Sequence, residues 1–146
     1  MAPAARAGGL YTPEILGSAA SLAAYPFDPG HAHIGEARSR SCGSTMRLSL
    51  ALDPAGCITQ VGVLPHACAV GQAAASLFVA HATGCNSNEI VAAREALARW
   101  LSGEGGEPDW PGIALLTPAL DFPARHPAIL LAWDAALAAM TPRTNS

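Results

Sequence analysis

The periodicities of this 146-residue chain allow an α+β domain with a three-stranded antiparallel sheet packed against helices. Residues 45–53 alternate Met46, Leu48, Leu50 and Leu52 with Thr45, Arg47, Ser49, Ala51 and Asp53, the pattern of a half-buried strand. The Asp53-Pro54-Ala55-Gly56 turn then leads into a second strand through Ile58, Val61 and Val63, and so short a connection predicts an antiparallel hairpin. Alanine-rich and amphipathic runs with recognisable caps predict helices after the hairpin. With no internal repeat and no shift of composition, the chain reads as one domain over residues 1–146, with 1–10 and 141–146 flexible. That length can bury a self-supporting core without disulfides or a structural metal.

Taken in order, residues 12–24 carry Ile15, Leu16, Ala19, Ala20 and Ala23 at helical spacing, with Thr12 as N-cap and Pro13 at N1. Residues 25–40 mix Pro26, Pro29, Gly30 and Gly35 with His31 and His33, the composition of a mobile loop. After the hairpin, residues 67–83 predict a buried helix with Val70, Leu77, Phe78 and Val79, stopped by Gly84. Asn86 followed by Glu89 has capping-box spacing and opens a helix to Leu101, with Ile90, Leu97 and Leu101 facing the core. Residues 102–112 read as a loop and 113–117 as the third strand. His126 near an N-cap and Pro127 at N1 open the last helix, with a stripe of Leu130, Leu131, Leu137 and Met140.

The chain is 51% hydrophobic and 13% charged, with a formal net charge of −3, which argues against a surface that tracks nucleic-acid phosphates. The opening residues lack an apolar signal core, and no run approaches the ~20 apolar residues that span a bilayer. These features predict a cytoplasmic protein with reduced cysteines and no membrane partner. No G-x-S-x-G elbow, phosphate loop, H-E-x-x-H or dinucleotide fingerprint occurs, so an enzyme is not expected.

Thiolates suit zinc, copper(I) and iron–sulfur clusters. Cys42 precedes Gly43 at the head of the first hairpin strand, and Cys68 follows the second. The antiparallel hairpin returns both to one end, a candidate for bidentate metal capture. Cys68 also falls in the first turn of a helix, where unpaired amides and the helix dipole favour an anion; a small buried residue is the plain alternative. His126, at a helix start, is either a neutral imidazole ligand or a capping residue. His66 is a ligand or an exposed helix-edge residue, and His31 and His33 share one face of their segment if it is extended, or are solvated loop residues. His81, in mid-helix, is structural, and Arg125 either neutralises an anionic group or solvates its loop. Cys57 sits at the far end of the strands, and Cys85 is roughly 25 Å from Cys68 at 1.5 Å of helix rise per residue. Both read as bystanders.

Together these segments resemble the U-type iron–sulfur cluster assembly scaffolds, the IscU, SufU and NifU N-terminal-domain family. Cys42-Gly43 before an alternating strand resembles that family's Cys-Gly-Asp motif, and Ala67-Cys68-Ala69-Val70 with Ala73, Ala74, Ala75 and Ser76 resembles its Gly-Cys and small-residue helix. Phe122-Pro123-Ala124-Arg125 with Leu131-Ala132-Trp133 is similar to the segment around the family's third cysteine. Ser44 stands at the position of the family's aspartate and Ala128 at that of its third cysteine. The resemblance implies a SufE/NifU-like fold and a role in iron–sulfur cluster assembly, with Cys42 and Cys68 as ligands of iron or a [2Fe–2S] cluster. It also implies a cysteine desulfurase and cluster acceptors as partners. His126 would replace the lost ligand, or two chains would form a homodimer donating four thiolates to one cluster. A zinc-binding sulfur-transfer partner and a metal-free docking module are the alternatives.

Overall fold

The computed structural model describes residues 10–40 and 43–141. Helix α1 (Pro13–Ala20) starts as its sequence demands: Thr12 Oγ1 accepts the Ile15 amide at 3.1 Å and Pro13 fills the first turn, where an amide would lack a partner. A single 3₁₀ turn, Ser21–Ala24, ends the segment.

The sheet contains β1 (His33–Arg38), β2 (Thr45–Leu52) and β3 (Ile58–His66), antiparallel and in that spatial order. The hairpin forms at the expected place, with Thr45 opposite His66 and Leu50 opposite Val61. Met46, Leu48 and Leu50 are fully buried, as the alternation requires.

The third strand is not where the sequence pattern suggests. Residues 113–117 belong to a 3₁₀ helix, Ile113–Asp121, and the third strand is β1, inside the segment read as a mobile loop. Ile113, Leu116 and Ala119 are buried at a spacing of three, the repeat of one 3₁₀ face, and Pro118 has no amide to give a sheet. For β1 the misleading residue is Gly35. A Cβ there would overlap the Ala135 carbonyl and the Ala139 amide, so the glycine exists to let a helix lie directly on the strand. Residues 25–31 are also fastened. The Val63 amide donates to the Tyr25 carbonyl at 2.9 Å, and Ser49 Oγ accepts the Asp28 amide at 2.9 Å and lies 3.0 Å from His31 Nδ1.

Helices α2 (Ala69–His81), α3 (Ser87–Leu101) and α4 (His126–Met140) complete the core. The α3 capping box is reciprocal, with Asn86 Oδ1 accepting the Glu89 amide and Glu89 Oε1 accepting the Asn86 amide, each at 2.9 Å. In α4 the predicted stripe is corrected: Leu130, Leu137 and Met140 are only partly buried, and the core face is Ala128, Ile129, Leu131, Ala132, Trp133, Ala135, Ala136 and Ala139. Small side chains dominate because this helix presses close to both the sheet and α2. Trp133 joins Phe78 and Trp110 in an aromatic cluster with centroids 5.2 to 5.5 Å apart. Among the described residues, no helix is long and apolar enough to cross a membrane.

Candidate functional site

The end of the sheet where β1 passes to β2 holds Cys68, His66 and His126 of the residues singled out from sequence. The Ser39 amide donates to the Ser44 carbonyl at 2.8 Å and the Gly43 amide to the Ser39 carbonyl at 3.1 Å, with Gly43 in the left-handed region at φ 69°. Cys42 lies outside the described residues. Because Thr45 pairs with His66, Gly43 and Cys68 lie just beyond the paired strands at the same end.

Cys68 is the N-cap of α2, with an extended backbone (φ −66°, ψ 170°) and no side-chain capping bond. Its carbonyl accepts the Gln72 amide at 2.9 Å and so starts the helix, while its half-exposed thiol remains free for another partner. The neighbouring amides of the first turn have no helical acceptor, which suits an anionic sulfur or an anionic group bound to it.

His126 is the first residue of α4, with Arg125 in the N-cap position. Its Nε2 lies 2.9 Å from the Ala119 carbonyl. A carbonyl can only accept, so Nε2 carries a proton, and Nδ1 is the ring atom left to act as an acceptor or ligand in the neutral tautomer. The histidine lines a cleft of about 460 Å³ with Arg38, Ser39, Arg40, Arg94 and Asp134. Within that cleft Arg94 Nε donates to Asp134 Oδ1 at 2.8 Å.

The first turns of α2 and α4 touch. A Cβ placed on Gly71 would lie 3.2 Å from the Ala128 Cβ, so the helix start bearing Cys68 and the one bearing His126 share one pole. Ala128 is itself fully buried in this contact. Among the described residues, no three His, Cys, Asp or Glu side chains gather in a group that could hold a metal ion.

Of the other histidines, His66 is exposed at the end of β3 and His81 is the exposed last residue of α2 rather than mid-helix. His31 is held between Ser49 Oγ at 3.0 Å and Gln60 Oε1 at 3.1 Å, which makes it a packing residue and not a solvated one. His33 is half-buried in β1, and Arg125 is half-buried at the approach to α4.

The opposite pole holds Cys57 and Cys85, bystanders by sequence alone. The Ile58 amide donates to the Cys85 carbonyl at 2.9 Å and the Gly84 amide to the Ile58 carbonyl at 2.7 Å, which draws Cys57 and Cys85 together. The Cys85 Sγ is 3.7 Å from the His81 carbonyl at the end of α2. Its thiol pKa is raised by burial and then by the nearby charges of Glu89 and Cys57. A cavity of about 580 Å³ opens beside it, lined by His81, Cys85, Glu89, Asp109 and Trp110 among others. The length match of strand and helix was the available signal. A nine-residue strand spans roughly 30 Å and the helical return from Cys68 to Cys85 roughly 25 Å, so the two thiols must finish close together.

Neither the family models nor the curated proteins yield a match to this sequence. Solved structures do. A nitrogen-fixing NifU-like protein, N-terminal part, from Brucella abortus superposes with a TM-score of 0.83 at 28% identity, covering 92% of this chain and 94% of that one. A protein provisionally assigned as an iron–sulfur cluster assembly scaffold for the SUF system, from Fervidobacterium islandicum, gives 0.81 at 19% identity, covering 92% and 98%. A hypothetical protein gives 0.69 at 20% identity, covering 86% and 96%. At such identity the last two speak for the fold alone.

Proposed function

From the premise that this chain is a divergent U-type scaffold by fold, we propose that it acts as a single-domain iron–sulfur cluster assembly scaffold or carrier. It holds iron or a [2Fe–2S] cluster transiently through Cys42 and Cys68 and passes it on by ligand exchange. The supporting observation is the likeness to the NifU-like domain over 92% of the chain at 28% identity. The half-exposed thiol of Cys68 on a helix N-cap, free of any capping bond, is the matching local feature. Iron and sulfide are cargo here, and the chain contributes ligands and a dipole rather than a bond-making site. A cysteine desulfurase is the proposed sulfur donor and cluster-accepting proteins are the recipients.

Two thiolates leave an iron ion short of donors. Nδ1 of His126, unencumbered by the bond that Nε2 makes, is the proposed third donor. A homodimer would instead complete the four thiolates that a [2Fe–2S] cluster takes. Burial of Ala128, where the resemblance puts the third cysteine, weighs against sulfur transfer through that position.

The test is the iron, zinc and acid-labile sulfide content after anaerobic reconstitution, with absorption spectra of the wild type beside Cys42→Ser. Stoichiometric iron and sulfide with visible charge-transfer bands, lost in the variant, is the expected result. Zinc alone would replace this reading with that of a sulfur-transfer relative. No metal in either protein would leave a docking module.

A further inference from the structure

We propose that Cys57 and Cys85 form a reversible disulfide, made by reaction with a hydroperoxide, that staples the hairpin turn to the end of α2. The backbone sets the reach. A hydrogen bond from the Ile58 amide to the Cys85 carbonyl at 2.9 Å keeps the two cysteine Cα atoms within about 7 Å by standard bond lengths and angles. Disulfides bridge Cα separations of about 4.4 to 6.8 Å. A second bond, from the Gly84 amide to the Ile58 carbonyl at 2.7 Å, holds the same two segments together, and the raised pKa of Cys85, to which Cys57 contributes, agrees with that closeness. Both cysteines are partly exposed residues, and Cys85 lines the cavity with Glu89 and Trp110, so a small oxidant has a path to the pair. The hairpin turn is already ordered for the link: Asp53 Oδ1 accepts the amides of Ala55 and Cys57, each at 2.9 Å.

The order of events follows from the environments. Burial and then the charges of Glu89 and Cys57 disfavour the thiolate of Cys85, so the first attack is assigned to Cys57, reacting in its deprotonated form. Its sulfur attacks one peroxide oxygen; the S–O bond forms, the O–O bond breaks, and the departing alkoxide takes a proton and leaves as the alcohol. Cys57 is then a sulfenic acid. The Cys85 sulfur attacks the Cys57 sulfur, the S–S bond forms and the S–O bond breaks, and hydroxide leaves with the Cys85 proton as water. Two thiols have lost two electrons and the hydroperoxide has gained them. A small dithiol reverses the link by exchange. The site is independent of the cargo proposal, because it lies at the other end of α2.

The test treats the full chain, reduced and metal-free, with one equivalent of tert-butyl hydroperoxide under native conditions. Free thiols are then counted and peptides mapped by mass. The expected result is loss of two thiols and one linked peptide pair carrying Cys57 and Cys85, restored by dithiothreitol. The link should persist in Cys42→Ser and Cys68→Ser. In Cys85→Ser, Cys57 should be trapped as a sulfenic acid that dimedone captures, while in Cys57→Ser neither link nor adduct should form. A link through Cys42 or Cys68, separate over-oxidation of Cys57 and Cys85 without a link, or no reaction would each overturn the proposal. Circular dichroism before and after oxidation establishes that the folded protein reacts.

Discussion

Helix α2 has a cysteine at each end, and the two thiols meet opposite surroundings. At the start, Cys68 is an N-cap beside amides that lack acceptors, and its side chain makes no capping bond. Beyond the far end, past Gly84 at φ 94°, Cys85 lies against the His81 carbonyl, and burial and Glu89 hold it as a thiol. One helix therefore offers a site for an anionic ligand group at its positive end and a protonated donor at its negative end. Position along the helix axis, more than cysteine content, separates the proposed ligand from the proposed redox partner.

The sharpest way to break this contrast is to exchange the two sulfurs for oxygen. Cys68→Ser should reduce iron and sulfide retention to background, whereas Cys85→Ser and Cys57→Ser should retain as much as the wild type; equal loss in all three would erase the distinction. His126→Ala should weaken retention by about tenfold, the size expected when a supporting or substitute ligand is removed. The same variant should form the Cys57–Cys85 link normally, and unchanged iron binding would return this histidine to its contact with Ala119. At the other pole, Asn86→Ala removes one half of the capping box and should cost about 1 kcal/mol in urea unfolding, with cluster retention untouched.

The smallest effect concerns Cys85 alone. Its folded-state pKa lies above 9.0, the usual value of a cysteine thiol, so alkylation should need a higher pH than in the unfolded chain. Glu89→Gln keeps the capping geometry while removing the charge, and should speed iodoacetamide labelling of Cys85 by a few fold at pH 8. No change in rate would leave burial and Cys57 as the causes. The stability sign follows: a thiol that stays protonated in the folded state and ionises in the unfolded chain costs stability only as pH rises past 9.0.

Much of this was legible because it is local. The hairpin needs only alternation and a turn, and the α3 start needs only Asn86 and Glu89. The arrangement of Gly43 and Cys68 at one end follows from antiparallel pairing. What escaped was set from far along the chain. Gly35 looks like a loop residue until the α4 backbone, a hundred positions later, is laid over it. Ile113, Leu116 and Ala119 give too short an apolar run to separate a strand from a 3₁₀ turn without Pro118. The alanines of α4 likewise look like weak core candidates, although close approach makes them the core itself. The meeting of Cys57 and Cys85 is hidden for another reason: it depends on α2 running back along β3, which neither cysteine's local sequence signals.

The contact at Gly35 also has a mechanical consequence. Backbone there rests on backbone, with no compressible side chain between β1 and α4. Strand and helix therefore form one stiff strut whose ends are Arg38, leading into the 39–44 connection, and His126. At that crossing there is no side chain whose rotamer could change, so a load on His126 passes to β1 through backbone alone.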